Sequence, residues 1–360
     1  MKKVNILTEG PISYNSRAFL QPLILNNSLL SDLLIKVKIY TESHKDICEC
    51  DLLILDSKFF KNWWVEEKQK IFDTIANFSE RTSVIFFDTT DSSGYVLGEV
   101  LPYVKSYYKH QILKDKELYL NQMYGRRLFS SYYHETKQIL DAKEYEEDAK
   151  QVKNPKHLEK IKVGWNTGLA NYSYLGEYLG KIYTLLPIKT LLRYPKTFSK
   201  PGLNRLEDFQ CRFNTSYTKK SVSFQREEIS RILADRIQTT KINRFSFFRE
   251  LRNTKLILSP FGLGEITLKD FEVFITGGLL MKPNMDHLDT WPNFYTRDTY
   301  IDFNWNLNNL EQIIDETLDN YADKIQIAHN AQEKYQYYVN SQGGFEEFAK
   351  RFGNIVTLEI

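Results

Sequence analysis

An alternation in the first half of the chain constrains the fold more than any other feature. Short apolar runs at residues 4–7, 35–40, 51–56 and 83–88 are separated by stretches with helical spacing at 16–34 and 66–78. Short apolar runs bounded by polar turns read as buried strands. Strands that alternate with helices imply a parallel sheet covered on both faces. Residues 105–113 offer one more strand. The second half repeats the pattern, with strands expected at 162–165, 209–213, 254–258 and 279–282. Its helices are expected at 172–186, 223–237, 266–276, 310–339 and 344–352. Between the halves, residues 140–162 are rich in Lys, Glu and Asp and read as a surface helix and linker. The expected fold class is α/β: two doubly wound halves facing a central cleft, which 360 residues are long enough to build.

Charge and cysteine content exclude several functions. A net charge of +2 on 94 charged side chains gives no case for a dedicated nucleic-acid binder. Three cysteines, Cys48, Cys50 and Cys211, give neither a disulfide framework nor a zinc spacing, so no metal is expected. They point to a reducing compartment, the cytoplasm. The start, MKKVNILTEG, reads as a first strand rather than a signal peptide. No apolar window reaches the ~18 residues of a spanning helix. Peripheral attachment to the inner face of a membrane remains compatible with this pattern. The 23 Tyr and 23 Phe are spread along the chain and read as core.

Several stretches could carry chemistry. In SPFGLGEITLKDFEVFITGGLLMKP (259–283) a strand leads through Ser259, Gly262 and Gly264 into a helix. A helix N-terminus with glycines before it suits an anion. Glu265 and Glu272, seven apart, are expected on nearly one helical face, where a carboxylate can accept from a sugar or ribose diol. Glu265 could equally be a first-turn acid paired with Lys269. In FDTTDSSG (87–94) a strand ends at Asp88, Asp91 and Ser92, at the edge where open sheets bind ligands; either aspartate could be a base or a cap. Arg212, Tyr217 and Arg226 follow the next strand, and such an arginine holds a pyrophosphate or a neighbouring glutamate. Lys282 ends a buried strand, and His287 in the loop beyond it reads as structural. The first loop, TEGPISYNSRAFLQP (8–22), carries Gly10 and Arg17 but has neither a G-x-G-x-x-G nor a Walker signature.

Together, SPFGLGEITLKDFEVFITGGLLMKP followed by HLDTWPNFY resembles the donor-binding half of bacterial glycosyltransferases of the GT-B fold, of the family 1 and 4 type found in surface-polysaccharide loci. FDTTDSSG, RFNTSY and FQRE are similar to that group too. The resemblance is clearest over residues 209–305. It implies an N-terminal Rossmann-like acceptor domain (1–155), a C-terminal donor domain (156–335) and a last helix (336–360) returning to the N-terminal domain. It also implies metal-independent transfer from a nucleotide-sugar, with no other cofactor, to a saccharide or lipid-linked glycan in lipopolysaccharide or capsule synthesis. By the same resemblance Glu272 matches the ribose ligand, and Ser259, Gly262, Gly264, Arg212, Tyr217 and Lys282 become donor-site candidates. Gly10, Arg17 and Ser92 become acceptor-site candidates, and Asp91, Asp88 and Glu265 catalytic candidates. One departure stands out. Many retaining members have seven residues between two glutamates, whereas Glu265 and Glu272 have six, and the position eight before Glu272 is Gly264. The alternatives are a sugar-nucleotide epimerase of the same architecture and an inactive binding subunit.

Overall fold

The computed structural model describes residues 1–142, 149–236 and 240–360. Two parallel sheets organise it. The first has six strands in the spatial order Ile35–Tyr40, Lys2–Leu7, Leu52–Asp56, Ser83–Asp88, Ser106–Lys109 and Ile161–Val163. The second has four, in the order Glu207–Gln210, Thr254–Leu258, Leu279–Pro283 and Ile301–Phe303. The α/β class is therefore as expected.

Alternate residues of each strand feed different cores. Ile54, Ile85 and Phe87 enter one cluster, while Leu53, Leu55, Val84 and Phe86 enter another on the opposite face. In the second sheet Ile257 and Leu280 face the first cluster, and Leu256, Leu258, Leu279 and Met281 face a third. A strand with both faces buried must be apolar throughout, which is why these runs were continuous. The first cluster joins residues of both sheets around Trp165, Phe271 and Tyr335, so the halves share a core.

Several expectations are corrected. The strand near residue 162 does not open the second half: Ile161–Val163 pairs with Ser106–Lys109 and closes the first sheet. The surface helix expected over 140–162 falls partly on residues 143–148, outside the described residues. Its described remainder holds no α-helix, only the 3-10 turn Pro155–Lys160 and strand. The run at 105–113 splits at His110. Gln111–Leu113 leaves the sheet and pairs antiparallel with Leu288–Thr290, tying the halves together. The long helix expected over 310–339 is two helices, Leu310–Asp319 and Tyr321–Asn340.

The last helix, Gln342–Glu359, lies against the first sheet. Buried Glu359 accepts from Ser106 Oγ (2.9 Å), Tyr108 Oη (2.7 Å) and Lys162 Nζ (2.7 Å). Burial alone would raise its carboxyl, but these donors outweigh burial and hold it below the usual range. A depressed carboxyl stabilises the fold above its unfolded pKa and loses that contribution as pH falls through the folded value. Glu359→Ala should therefore lower stability at pH 7 by roughly 1–3 kcal/mol, because the donors lose their acceptor. Thermal melts should show the deficit shrinking in acid.

Candidate active site

The carboxyl edges of the two sheets meet at the loop 88–94. Asp88 is fully buried. Lys109 Nζ donates to it at 2.7 Å, and Tyr107 Oη and Thr90 also donate. Burial raises its carboxyl, but the Lys109 charge and hydrogen bond outweigh that and hold it below the usual range. With its oxygens engaged and shielded, Asp88 is a structural ion-pair member and not an accessible base.

Glu265 departs from its expected role too. It precedes the N-cap Thr267 of the helix Leu268–Thr276, so it shares no helical face with Glu272. Its buried carboxylate crosses to the first half and accepts from Ser93 N (3.0 Å), Ser93 Oγ (2.7 Å) and Ser92 Oγ (3.4 Å). His287 Nε2 stands 3.9 Å away. Burial would raise the carboxyl, yet His287 and Ser93 draw it below the usual range. Lys269, its alternative partner, donates to the carbonyls of Arg212 and Leu258 instead. Beside this latch, a Cβ on Gly264 would lie 2.2 Å from the Asp91 carbonyl oxygen. Only glycine permits that approach.

The expected anion site is filled by the chain's own charge. Asp270, three residues into the helix, forms a capping box with Thr267. Ser259 Oγ and Tyr295 Oη donate to it, and Lys282 Nζ pairs with it at 3.1 Å. Both members of that pair are wholly buried. Lys282 and Ser259 therefore hold a carboxylate rather than a phosphate. Arg212 is likewise engaged: it pairs with Glu250 at 2.7 Å and donates to the Thr240 carbonyl. Tyr217 packs under the Arg226 guanidinium (5.1 Å), whose Nε donates to the Phe261 carbonyl at 2.6 Å. Gly262 lies in this turn, its N–H bonded to the Gly264 carbonyl.

What remains is a polar seam where the halves meet. From the second half, Glu272 pairs with Arg244 Nη1 at 3.1 Å. Arg244 also donates to the carbonyls of Tyr174 (2.7 Å) and Ser173 (3.0 Å). Burial pushes Glu272 up to about 7 against the pull of Arg244. From the first half, Asn15 Nδ2 donates to Asp91 Oδ1 and to the Thr89 carbonyl, both at 2.8 Å. Next to Asn15, the Tyr14 hydroxyl donates to Glu177, and burial together with that carboxylate raises it. Arg17 lies over the Tyr14 ring at 4.8 Å and donates to the Ile12 carbonyl at 3.0 Å. Its loop turns at Gly10, whose φ is +83°. Tyr14, Arg17, Tyr172 and Glu177 line one cavity. Buried Tyr172 donates to the Thr167 carbonyl at 2.6 Å and stacks on Phe271, next to Glu272. Of the sequence candidates, Arg17 lines that cavity, Asp91 is held beside it by Asn15, and Glu272 by Arg244. Ser92, Gly264 and Glu265 adjoin them as the latch. Arg212, Tyr217, Ser259, Gly262, Lys282 and Asp88 belong to other networks.

Sequence reasoning missed Arg244, Tyr172, Glu177 and Asn15. None lies in a glycine-rich turn, and Arg244 opens a helix, Arg244–Asn253, that the apolar spacing does not announce. Asp270 was legible in principle, since Thr267 followed by an acid three residues later is a capping pattern.

No family model matches the chain, and no curated protein matches its sequence. Solved structures align along nearly all of it at low identity. A glycosyltransferase from Rickettsia africae ESF-5 is 9% identical over 99% of this chain and 98% of its own, with a TM-score of 0.47. An α-glucosyltransferase in complex with UDP-glucose and DNA containing an abasic site is 11% identical over 99% of each chain, with a TM-score of 0.39. The S. aureus MnaA–UDP structure is 10% identical over 99% of this chain and 98% of its own, with a TM-score of 0.41. Likenesses this distant carry no argument about activity, and the architecture rests on the strand order described above.

The raised Glu272 makes a pH prediction. A carboxyl whose folded value is about 7 binds a proton that the unfolded chain has released. Stability from this group is present below about pH 4.3 and is lost as pH rises through 7. The thermal midpoint of Glu272→Gln should therefore gain on the wild type between those limits. A midpoint difference that does not change with pH would remove the assignment.

Proposed function

We propose that the chain is a metal-independent glycosyltransferase, moving a sugar from a nucleotide-sugar donor to a saccharide or lipid-linked glycan acceptor during surface-polysaccharide assembly at the cytoplasmic side of a membrane. The observation that carries this reading is the cavity lined by Tyr14, Arg17, Tyr172 and Glu177, flanked by the Asn15–Asp91 pair of the first half and the Arg244–Glu272 pair of the second. Glu272, freed from Arg244, accepts from the donor ribose. Arg244 and Arg17 supply positive charge for the diphosphate, the role first read into Arg212 and Lys282. The sequence resemblance adds support from the 209–305 region.

In this reading Asp91 takes the proton of the acceptor hydroxyl as its oxygen bonds to the anomeric carbon. The bond from that carbon to the diphosphate oxygen breaks, and the electron pair leaves with the nucleoside diphosphate. Asp91 suits this role because it is only half-buried and its carboxylate is engaged by the neutral amide of Asn15. Gly10 and Ser92 shape the acceptor side, through the turn before Arg17 and through the loop carrying Asp91.

Two measurements test the reading. A nucleotide or nucleotide-sugar that binds the folded chain should stabilise it by about 2.7 kcal/mol at a hundredfold excess over Kd, visible as a raised melting temperature. Asp91→Asn should keep that response and lose about a hundred- to ten-thousand-fold in transfer. If no nucleotide raises the midpoint, the reading fails. Release of an epimerised nucleotide-sugar without transfer would favour the epimerase alternative.

A further inference from the structure

The helix Gly176–Leu185 is built inside out. At roughly 100° per residue, its residues fall into two opposite stripes. Gly176 and Gly180 are its buried residues. A Cβ on Gly180 would lie 2.8 Å from Arg17 Cδ, so the helix is pressed onto the first half by its small side chains. Thr184 Oγ1, on the same stripe, donates to the Pro11 carbonyl at 3.0 Å. The opposite stripe carries Leu175, Tyr178 and Leu185, all exposed, and continues into exposed Leu186 and Ile188. Leu185 is 81% exposed and Tyr178 62%. Single exposed apolar residues are ordinary, but a contiguous outward stripe marks an interaction surface.

The charges around this stripe name its partner. Between Glu177 and Glu207 the chain carries six cations and no acid. Lys181, Lys189, Arg193 and Lys196 are exposed, and only Lys181 has a carboxylate partner, Glu177 at 2.8 Å. Leucine and isoleucine beside tyrosine, flanked by unpaired cations, match an interface of acyl chains and anionic headgroups. Among the described residues no helix is long and apolar enough to cross a membrane.

We infer that the outward face of 175–188, with the cations that follow it, docks this chain on the surface of an anionic lipid bilayer. The helix then lies in the plane of the headgroups with Leu185 and Leu186 inserted. The inference does not rest on the donor assignment, since no seam carboxylate takes part in it.

Co-sedimentation of the full chain with vesicles tests it. Binding to phosphatidylcholine vesicles containing phosphatidylglycerol should exceed binding to phosphatidylcholine alone by at least about tenfold, and should weaken in salt. The double substitution Leu185→Asp and Leu186→Asp should abolish binding to either vesicle while leaving the thermal midpoint and any nucleotide response unchanged. Lys189→Glu with Arg193→Glu should erase the preference for the anionic lipid. The inference is overturned if anionic vesicles fail to sediment the chain, or if the leucine variant binds them as the wild type does. A dimer in sedimentation velocity that the leucine variant dissolves would instead assign the face to a second copy.

Discussion

Where the carboxyl edges of the two halves meet, one buried carboxylate fixes their register, beside the shared core and the pairing of Gln111–Leu113 with Leu288–Thr290. Glu265 belongs to the second half, yet its hydrogen-bond donors are Ser92 and Ser93 of the first. A carboxylate out of reach of water is tolerated only when its oxygens are satisfied. The halves can therefore close in one register, with Gly264 against the Asp91 backbone. That register brings the Asn15–Asp91 pair toward the side of the molecule where Arg244 meets Glu272.

A second constraint acts at the same edges. Each sheet closes its carboxyl end with a buried lysine–aspartate pair, Lys109–Asp88 in the first and Lys282–Asp270 in the second. Removing either partner would strand a charge in the interior, a loss of about 3–5 kcal/mol. These pairs occupy the places where an open sheet offers charge to a ligand. In the reading proposed above the chemistry falls instead to half-exposed groups: Asp91, Tyr14, Arg244 and Glu177. Arg244 spans the carbonyls of Ser173 and Tyr174, just before helix Gly176–Leu185, and the carboxylate of Glu272.

Much of the fold was legible because it is local. Strands Ile35–Tyr40, Ser83–Asp88 and Thr254–Leu258 match the expected runs to the residue. In Ser83–Asp88 burial on both faces leaves no polar position inside the strand, whereas the edge strand Ile35–Tyr40 alternates apolar residues with Lys36 and Lys38. Sheet membership was not legible. Ile161–Val163 is apolar whichever sheet it joins, and its partner at 107–109 lies some fifty residues away. The antiparallel pairing of Gln111–Leu113 with Leu288–Thr290 is more distant still. The site was only half legible for the same reason. Glu272 and Asp91 were found from spacing and from position after a strand. The partners that decide what each acid does, Arg244, Asn15 and Ser93, come from remote stretches. Helix Gly176–Leu185 shows a different limit. Its spacing announces an apolar face but not which way that face points; the two glycines on the opposite side decide it.

The central claim is that ligand chemistry belongs to the seam and not to the glycine turn after Thr254–Leu258. The most direct measurement is calorimetric titration of a nucleoside diphosphate into two variants with intact folds, Arg244→Ala and Gly262→Ala. A Cβ at Gly262 would lie 3.2 Å from Arg226 Nη2 and 3.5 Å from Tyr217 Oη and in no backbone clash, so a shift of a few tenths of an ångström accommodates it. The account predicts altered affinity in Arg244→Ala, where the Glu272 carboxylate loses its partner, and wild-type affinity in Gly262→Ala. Unchanged binding in Arg244→Ala together with lost binding in Gly262→Ala would contradict it.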